Sequence, residues 1–259
     1  MRLILHPGFH KTGTSTVQAT LRQNRATLRT HLKVLLRPDM AATCEAARIY
    51  SRSRDALDLA LFRYEVAQLG DSWDPNDPRP VLMASEDLSG HMPGRYGLKD
   101  YSATPELMKT LVTTLGEIHP ELTTTLFFST RAPGPWLASC HAQHLRASRM
   151  TQSADEYAES HRQSGDLNRI IDRIAAKTAP GMVYRCALED SRSRPLGPLD
   201  PLLDLIDLPQ SVRVGLHAVP PTNTALPPDC AAQLLALNRS TSDDKSVHIA
   251  KQALIRGLW

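Results

Sequence analysis

Five residues near the amino terminus, Lys11-Thr12-Gly13-Thr14-Ser15, have the types and spacing to hold a compact anion. They follow Pro7-Gly8-Phe9-His10 and lead into Thr16-Val17-Gln18. Glycine lets the backbone come close to a ligand, hydroxyls and amide N–H groups donate to its oxygens, and a lysine supplies positive charge. The apolar run Leu3-Ile4-Leu5 ahead of the turn reads as a strand. Residues 15–30 read as a helix with Val17, Leu21 and Leu28 on one side. Such a helix aims its first unpaired N–H groups at whatever the turn holds.

The spelling of the turn narrows the chemistry. A Walker A loop needs Gly, four residues, then Gly-Lys-Ser/Thr. Gly8 and Gly13 have that separation, but Thr14 stands where the lysine belongs, and the lysine lies earlier, at Lys11. Nucleoside triphosphate hydrolases use the later lysine on the β- and γ-phosphates. Two adjacent hydroxyls, Thr14 and Ser15, with a cation inside the turn suit one compact anion whose leaving group lies near Lys11. Further on, residues 80–86 read as a buried parallel strand ending in Ser85-Glu86. Ligands of open parallel sheets lie beyond the carboxyl ends of the strands, so Glu86 falls where chemistry would occur.

Lys11-Thr12-Gly13-Thr14-Ser15 resembles the 5′-phosphosulfate loop of sulfotransferases that use 3′-phosphoadenosine 5′-phosphosulfate (PAPS), and residues 6–18 are similar to bacterial members of that family. A second family signature is a strand, an arginine at its end and a serine eight positions later. Residues 122–130 read as a strand rich in Thr and Phe, followed by Arg131, a helix opened by Pro133, and Ser139. The resemblance implies that Lys11, Thr12, Gly13, Thr14 and Ser15 bind the 5′-phosphosulfate, and that Arg131 and Ser139 bind the 3′-phosphate. A fork of N–H donors beside a hydroxyl suits a terminal dianion. The implied activity is in-line transfer of a sulfuryl group from PAPS, as co-substrate and without a metal, to a hydroxyl or amine of a small-molecule or carbohydrate acceptor.

In that reaction Lys11 would neutralise charge on the bridging oxygen, and Glu86 would take the acceptor's proton. A glutamate at such a strand end serves carbohydrate-directed branches of the family, whereas a histidine serves the cytosolic branch. His10 and His91 are therefore rival bases, and Glu86 would otherwise cap the strand or pair with an arginine. Two further readings stay open. One is a P-loop kinase acting on a small alcohol, which the missing Gly-Lys pair disfavours. The other is a non-catalytic descendant that binds a phosphonucleotide or a partner. In relatives a late loop closes over the nucleotide, which makes Asn223 and Thr224 expected contacts.

The elements that must position these groups follow from length and periodicity. A chain of 259 residues with 41% apolar and 22% charged residues suits one domain over 1–259. The expected fold is α/β, a P-loop-type three-layer arrangement with a mostly parallel sheet flanked by helices. Further strands are expected at 33–36 and 181–187. Helices are expected at 56–69, with Leu57, Leu61, Tyr64 and Ala67 facing the core, and at 104–118, from 133 onward, and at 155–163, 167–178, 199–208, 229–239 and 242–258. Thr104 reads as a cap. Residues 40–54 are mixed, 89–102 suit a mobile cover over the acceptor, and 191–198 with Arg192 and Arg194 suit a solvated loop.

Composition excludes other classes. The charge balance is 30 − 27 = +3, too small a surplus to argue for nucleic acid, and 5% aromatic residues leave little for base stacking. No run approaches the roughly 20 apolar residues of a membrane span, and the start of the chain lacks the pattern of a signal peptide. A cytoplasmic protein is the expectation. Cys44, Cys140, Cys186 and Cys230 form no CxxC pair, so free thiols are expected. Cys140, His141 and His144 lack a nearby carboxylate partner, and no metal is expected there.

Overall fold

The computed structural model describes residues 1–220 and 226–256; Asn223 and Thr224 lie outside this range. Its strands are β1 (Arg2–His6), β2 (Lys33–Leu36), β3 (Val81–Ala84), β4 (Thr123–Thr130) and β5 (Met182–Ala187). They form a parallel sheet in the order β2-β3-β1-β4-β5. The first helices are α1 (Thr14–Gln23), α2 (Arg25–Leu28), α3 (Ala41–Ser53), α4 (Ala56–Asp71) and α5 (Thr104–Ile118). Then come α6 (Pro133–Ala147), α7 (Ala154–Ser160), α8 (Leu167–Thr178) and α9 (Leu188–Ser191). The last are α10 (Asp200–Leu203), α11 (Gln210–Val214), α12 (Pro228–Arg239) and α13 (Asp244–Arg256).

Side chains alternate across a strand, and here both faces are apolar. Leu3, Leu5, Met83 and Phe128 pack with Phe62 of α4, Leu111 of α5 and Ile171 of α8 on one face. Ile4, Leu82 and Phe127 pack with Val17 and Leu21 of α1 and Leu202 of α10 on the other. This is the expected three-layer α/β architecture. A smaller cluster of Leu145, Cys230 and Leu234 seats α12 on α6. No helix among the described residues is long and apolar enough to cross a membrane.

The strand order sets the place of the site. The chain leaves β1 toward β2 and β3 on one side, then crosses to β4 and β5 on the other. The crevice between the carboxyl ends of β1 and β4 is thus a topological switch point. Leu126 of β4 pairs with Leu5 of β1, and β4 continues to Thr130. At about 3.3 Å per residue, this lifts Arg131 roughly 13 Å beyond the level of His6, to where the turn after β1 arches.

Several elements differ from the sequence-based expectation. Residues 41–53 form a full helix, α3, whose buried side is built largely from small or hydroxylated residues: Thr43, Cys44, Ala46, Ala47, Tyr50 and Ser51. The expected 15–30 helix breaks at Asn24, whose amide nitrogen donates to Thr20 O and to His217 O, each at 2.8 Å. Helix α4 turns the opposite side inward: Phe62, Val66 and Gly70 are buried, while Leu57, Leu61 and Tyr64 are exposed. Gly70 explains this choice, since a Cβ there would lie 2.8 Å from Leu115 of α5. The expected 199–208 helix ends at Leu203. Thr104 does not cap α5; its hydroxyl donates to Ser89 O at 2.8 Å.

Candidate functional site

The turn after β1 is shaped by three residues with positive φ: Gly8 at 57°, Lys11 at 68° and Gly13 at 95°. Gly8 is required sterically, because a Cβ there would lie 2.4 Å from Thr14 Cγ2. Thr12 is fully buried and its hydroxyl donates to Phe9 O at 2.7 Å, so this side chain braces the turn from within. Of the expected ligand-binding residues among those described, Thr12 alone stays off the cleft wall. Gly13 caps α1 with no side-chain acceptor, and the first turn of α1 carries no acid. The amino end of α1 therefore offers its N–H groups and its positive dipole end to the cleft.

That cleft has a volume of about 640 Å³. Lys11, Gly13, Thr14 and Ser15 line it from the turn, Arg131 and Ser139 from β4 and α6, and His10 and Glu86 from beside them. Arg131 Nη1 donates to Lys11 O at 3.3 Å, which joins the two strand ends directly. Residues 188–198 form a further wall: Arg192, Arg194 and Pro195 line the cleft, so this segment is part of the site and not merely solvated. Arg194 pairs with Asp204 at 2.8 Å.

Glu86 Oε2 accepts from Gln18 Nε2 of α1. Among the described residues Glu86 has no cationic partner within ion-pair distance, and Oε1 accepts no hydrogen bond. It is held at the cleft with one oxygen free. His10 is held differently. Tyr101 Oη accepts from the His10 backbone N–H at 3.0 Å and lies 2.9 Å from Nδ1. Burial holds the pKa of the phenol well above its ordinary value, so it keeps its proton. His10 Nε2 lies 3.8 Å from Asp87 Oδ1. Burial pulls the imidazole pKa down to about 4. His10 anchors the turn, helped by Trp136 Nε1 donating to His10 O at 2.9 Å. His91 is also lowered to about 4 by burial, is itself buried, and lies off the cleft wall.

Electrostatics favour an anion. Burial holds the Lys11 ammonium below the usual lysine range, and the charges of Arg146 and Arg131 add to this. Lys11, Arg95, Arg131, Arg192 and Arg194 face one acid, Glu86, along the lining.

Residues 89–102 are built into the wall. Ser89 Oγ donates to Gly8 O at 2.6 Å, His91 N to Ser51 Oγ at 3.0 Å, and the Pro93 carbonyl accepts from His144 Nε2 at 2.8 Å. This last bond, with His141 Nε2 meeting Gln152 O at 2.9 Å, uses the two histidines structurally.

Four site residues escaped the sequence reading. Gln143 follows Ser139 by four on α6 and lines the cleft, and Gln18 follows Thr14 by four on α1 and donates to Glu86. Tyr101 and Trp136 carried no comparable signal. The chain matches no protein-family model, and no curated protein matches its sequence.

Proposed function

We propose that the protein is a PAPS-dependent sulfotransferase that moves a sulfuryl group to a hydroxyl or amine of an acceptor. The observation that carries this reading is the meeting of two strand ends over one cleft. Arg131 Nη1 lies 3.3 Å from Lys11 O, with the uncapped amino end of α1 alongside. PAPS has an anionic group at each end of its ribose, and in this reading each of the two cations takes one.

In the proposed reaction the acceptor oxygen or nitrogen bonds to sulfur as the sulfur–oxygen bond to the 5′-phosphate breaks. Adenosine 3′,5′-bisphosphate leaves with the electron pair. Lys11 and the N–H groups of α1 stabilise the charge growing on the departing oxygen, an effect worth about 10²–10³ in rate for one such donor. Glu86 takes the acceptor's proton through its free Oε1. Gln18 holds the carboxylate in place, so little reorganisation is needed. The four cysteines are unpaired, which suits the reducing cytoplasm.

The test is a thermal-shift comparison of adenosine 3′,5′-bisphosphate against ATP with Mg²⁺, followed by transfer assays with PAPS in the presence of a chelator. Saturating bisphosphate should stabilise the fold by about 2.7 kcal/mol at a hundred times its Kd. Preferential stabilisation by ATP, or metal-dependent phosphoryl transfer, would make the protein a kinase and overturn the reading.

A further inference from the structure

The cations that line the cleft are spread along the ends of the strands, and one of them lies apart from the pair assigned to the nucleotide. In the order of the sheet, the lining cations run from Arg192 and Arg194 after β5, through Arg131 after β4, to Lys11 after β1. Arg95 comes last, on the segment after β3, together with Glu86 and Met92. A nucleotide stretched from Lys11 to Arg131 leaves Arg95 on the far side of the sulfur, beside the base. We propose that the acceptor carries an anionic group of its own, a carboxylate or a phosphate or sulfate ester, which Arg95 binds while Glu86 addresses the neighbouring hydroxyl. This rests on the sulfotransferase reading and specifies its acceptor.

Among the described residues no acid pairs with Arg95. Asp87, the acid of this wall, is engaged by Arg37 and lies 4.0 Å from Arg48. Glu86 is bonded to Gln18. Among the described residues the Arg95 guanidinium makes no ion pair and no side-chain hydrogen bond. A cation half-buried in a cleft without a counter-charge gives up hydration with nothing in return, and an anionic ligand would supply the compensation.

Its position is fixed by more than its own side chain. The segment is held to α3 through His91 N and Ser51 Oγ, and to α6 through Pro93 O and His144 Nε2. Gly94 permits the second bond, because a Cβ there would lie 2.5 Å from His144 Nε2. The guanidinium faces neutral rings: burial lowers His10, His91 and His144 to about 4 each, and Arg95 adds to every one of these shifts. On α6, Gln143 lines the cleft, and Arg146 behind it adds to the positive field at Lys11.

The experiment is calorimetric titration of the protein saturated with adenosine 3′,5′-bisphosphate, using pairs that differ only in charge. Methyl glucuronide is compared with methyl glucoside, 4-hydroxybenzoate with phenol, and glycerol phosphate with glycerol. At least one charged member should bind about tenfold or more tightly than its neutral twin, as one charge-assisted contact supplies. Arg95→Gln should erase that preference and leave bisphosphate affinity intact. Equal affinity within every pair, no binding by any charged member, or a preference that survives Arg95→Gln would each overturn the proposal while leaving the sulfotransferase reading in place. Loss of bisphosphate affinity in Arg95→Gln would overturn it too, by placing Arg95 on the nucleotide. Failure of the bisphosphate to bind the unaltered protein would remove both.

Discussion

Replacing Arg131 with alanine should separate nucleotide recognition from stability. In the free protein the guanidinium makes one bond, Nη1 to Lys11 O, at a long 3.3 Å. A weak contact on a half-buried side chain is worth about 0.5 kcal/mol, so the variant should fold with a small loss. In the complex the same fork would meet a dianionic phosphate with two charge-assisted hydrogen bonds, each worth about 1.5–3 kcal/mol. The cleft is open to solvent on one side, which favours the lower figure, about 3 kcal/mol in all. That converts to a rise of about 150-fold in Kd for adenosine 3′,5′-bisphosphate. Adenosine 5′-monophosphate lacks the 3′-phosphate, so its weaker affinity should be almost unchanged. Isothermal titration of both nucleotides against both proteins gives the comparison directly. Arg131→Lys keeps the charge without the fork and should fall in between. A loss of equal size for both nucleotides, or less than about threefold for the bisphosphate, would refute the assignment of Arg131 to the 3′-phosphate.

Lys11→Ala should lower kcat by about 10²–10³ while raising the bisphosphate Kd much less, read by sulfuryl transfer from labelled PAPS and by titration. Glu86→Gln retains an acceptor oxygen for Gln18 and should lower kcat by about 10²–10⁴ with nucleotide affinity kept; unchanged turnover would eliminate Glu86 as the base. Burial lowers His144 to about 4 from a model-peptide value near 6.5, so the unfolded chain takes up the proton first. Stability should then be complete above pH 6.5 and fall as pH drops toward 4, by about 3 kcal/mol for this residue. Urea midpoints across that range should show it, and His144→Gln should flatten the slope. Gly8→Ala, at φ 57° with Thr14 Cγ2 in the way, should cost at least about 1 kcal/mol, whereas Gly116→Ala in α5, with nothing within 4 Å, should gain about 0.5–1 kcal/mol. Equal effects at the two glycines would contradict the geometry.

The fold and most of the residues that line the cleft were legible for a definite reason. Strands buried on both faces are plain apolar runs, and the helices that cover them, such as α8 with Leu167, Ile170, Ile171 and Ile174, carry clear periodicity. The glycine turn and the spacing from Arg131 to Ser139 are local patterns, and they pointed to the residues that line the cleft. What escaped was decided by contacts distant in sequence. The break at Asn24 depends on His217, and the wall formed by residues 89–102 depends on Ser51 and His144. Helix α3 was obscured because its inward side uses Ala, Cys, Thr and Ser, which give little hydropathy contrast. Helix α4 is apolar on two sides, and only the fit of Gly70 against α5 decides between them. Thr12 and Thr14 look alike in sequence, yet one hydroxyl is consumed by Phe9 O and the other residue reaches the ligand side.

The backbone at position 11 tells on the lysine that occupies it. A φ of 68° is comfortable for glycine and costs a lysine about 1 kcal/mol. Lys11→Gly should therefore melt at a higher temperature than the natural chain while losing the proposed chemistry, a trade of robustness against work. Descendants released from the demand for an ammonium group would drift toward glycine here, so the identity of this one residue in any kindred sequence would report whether the proposed reaction is retained.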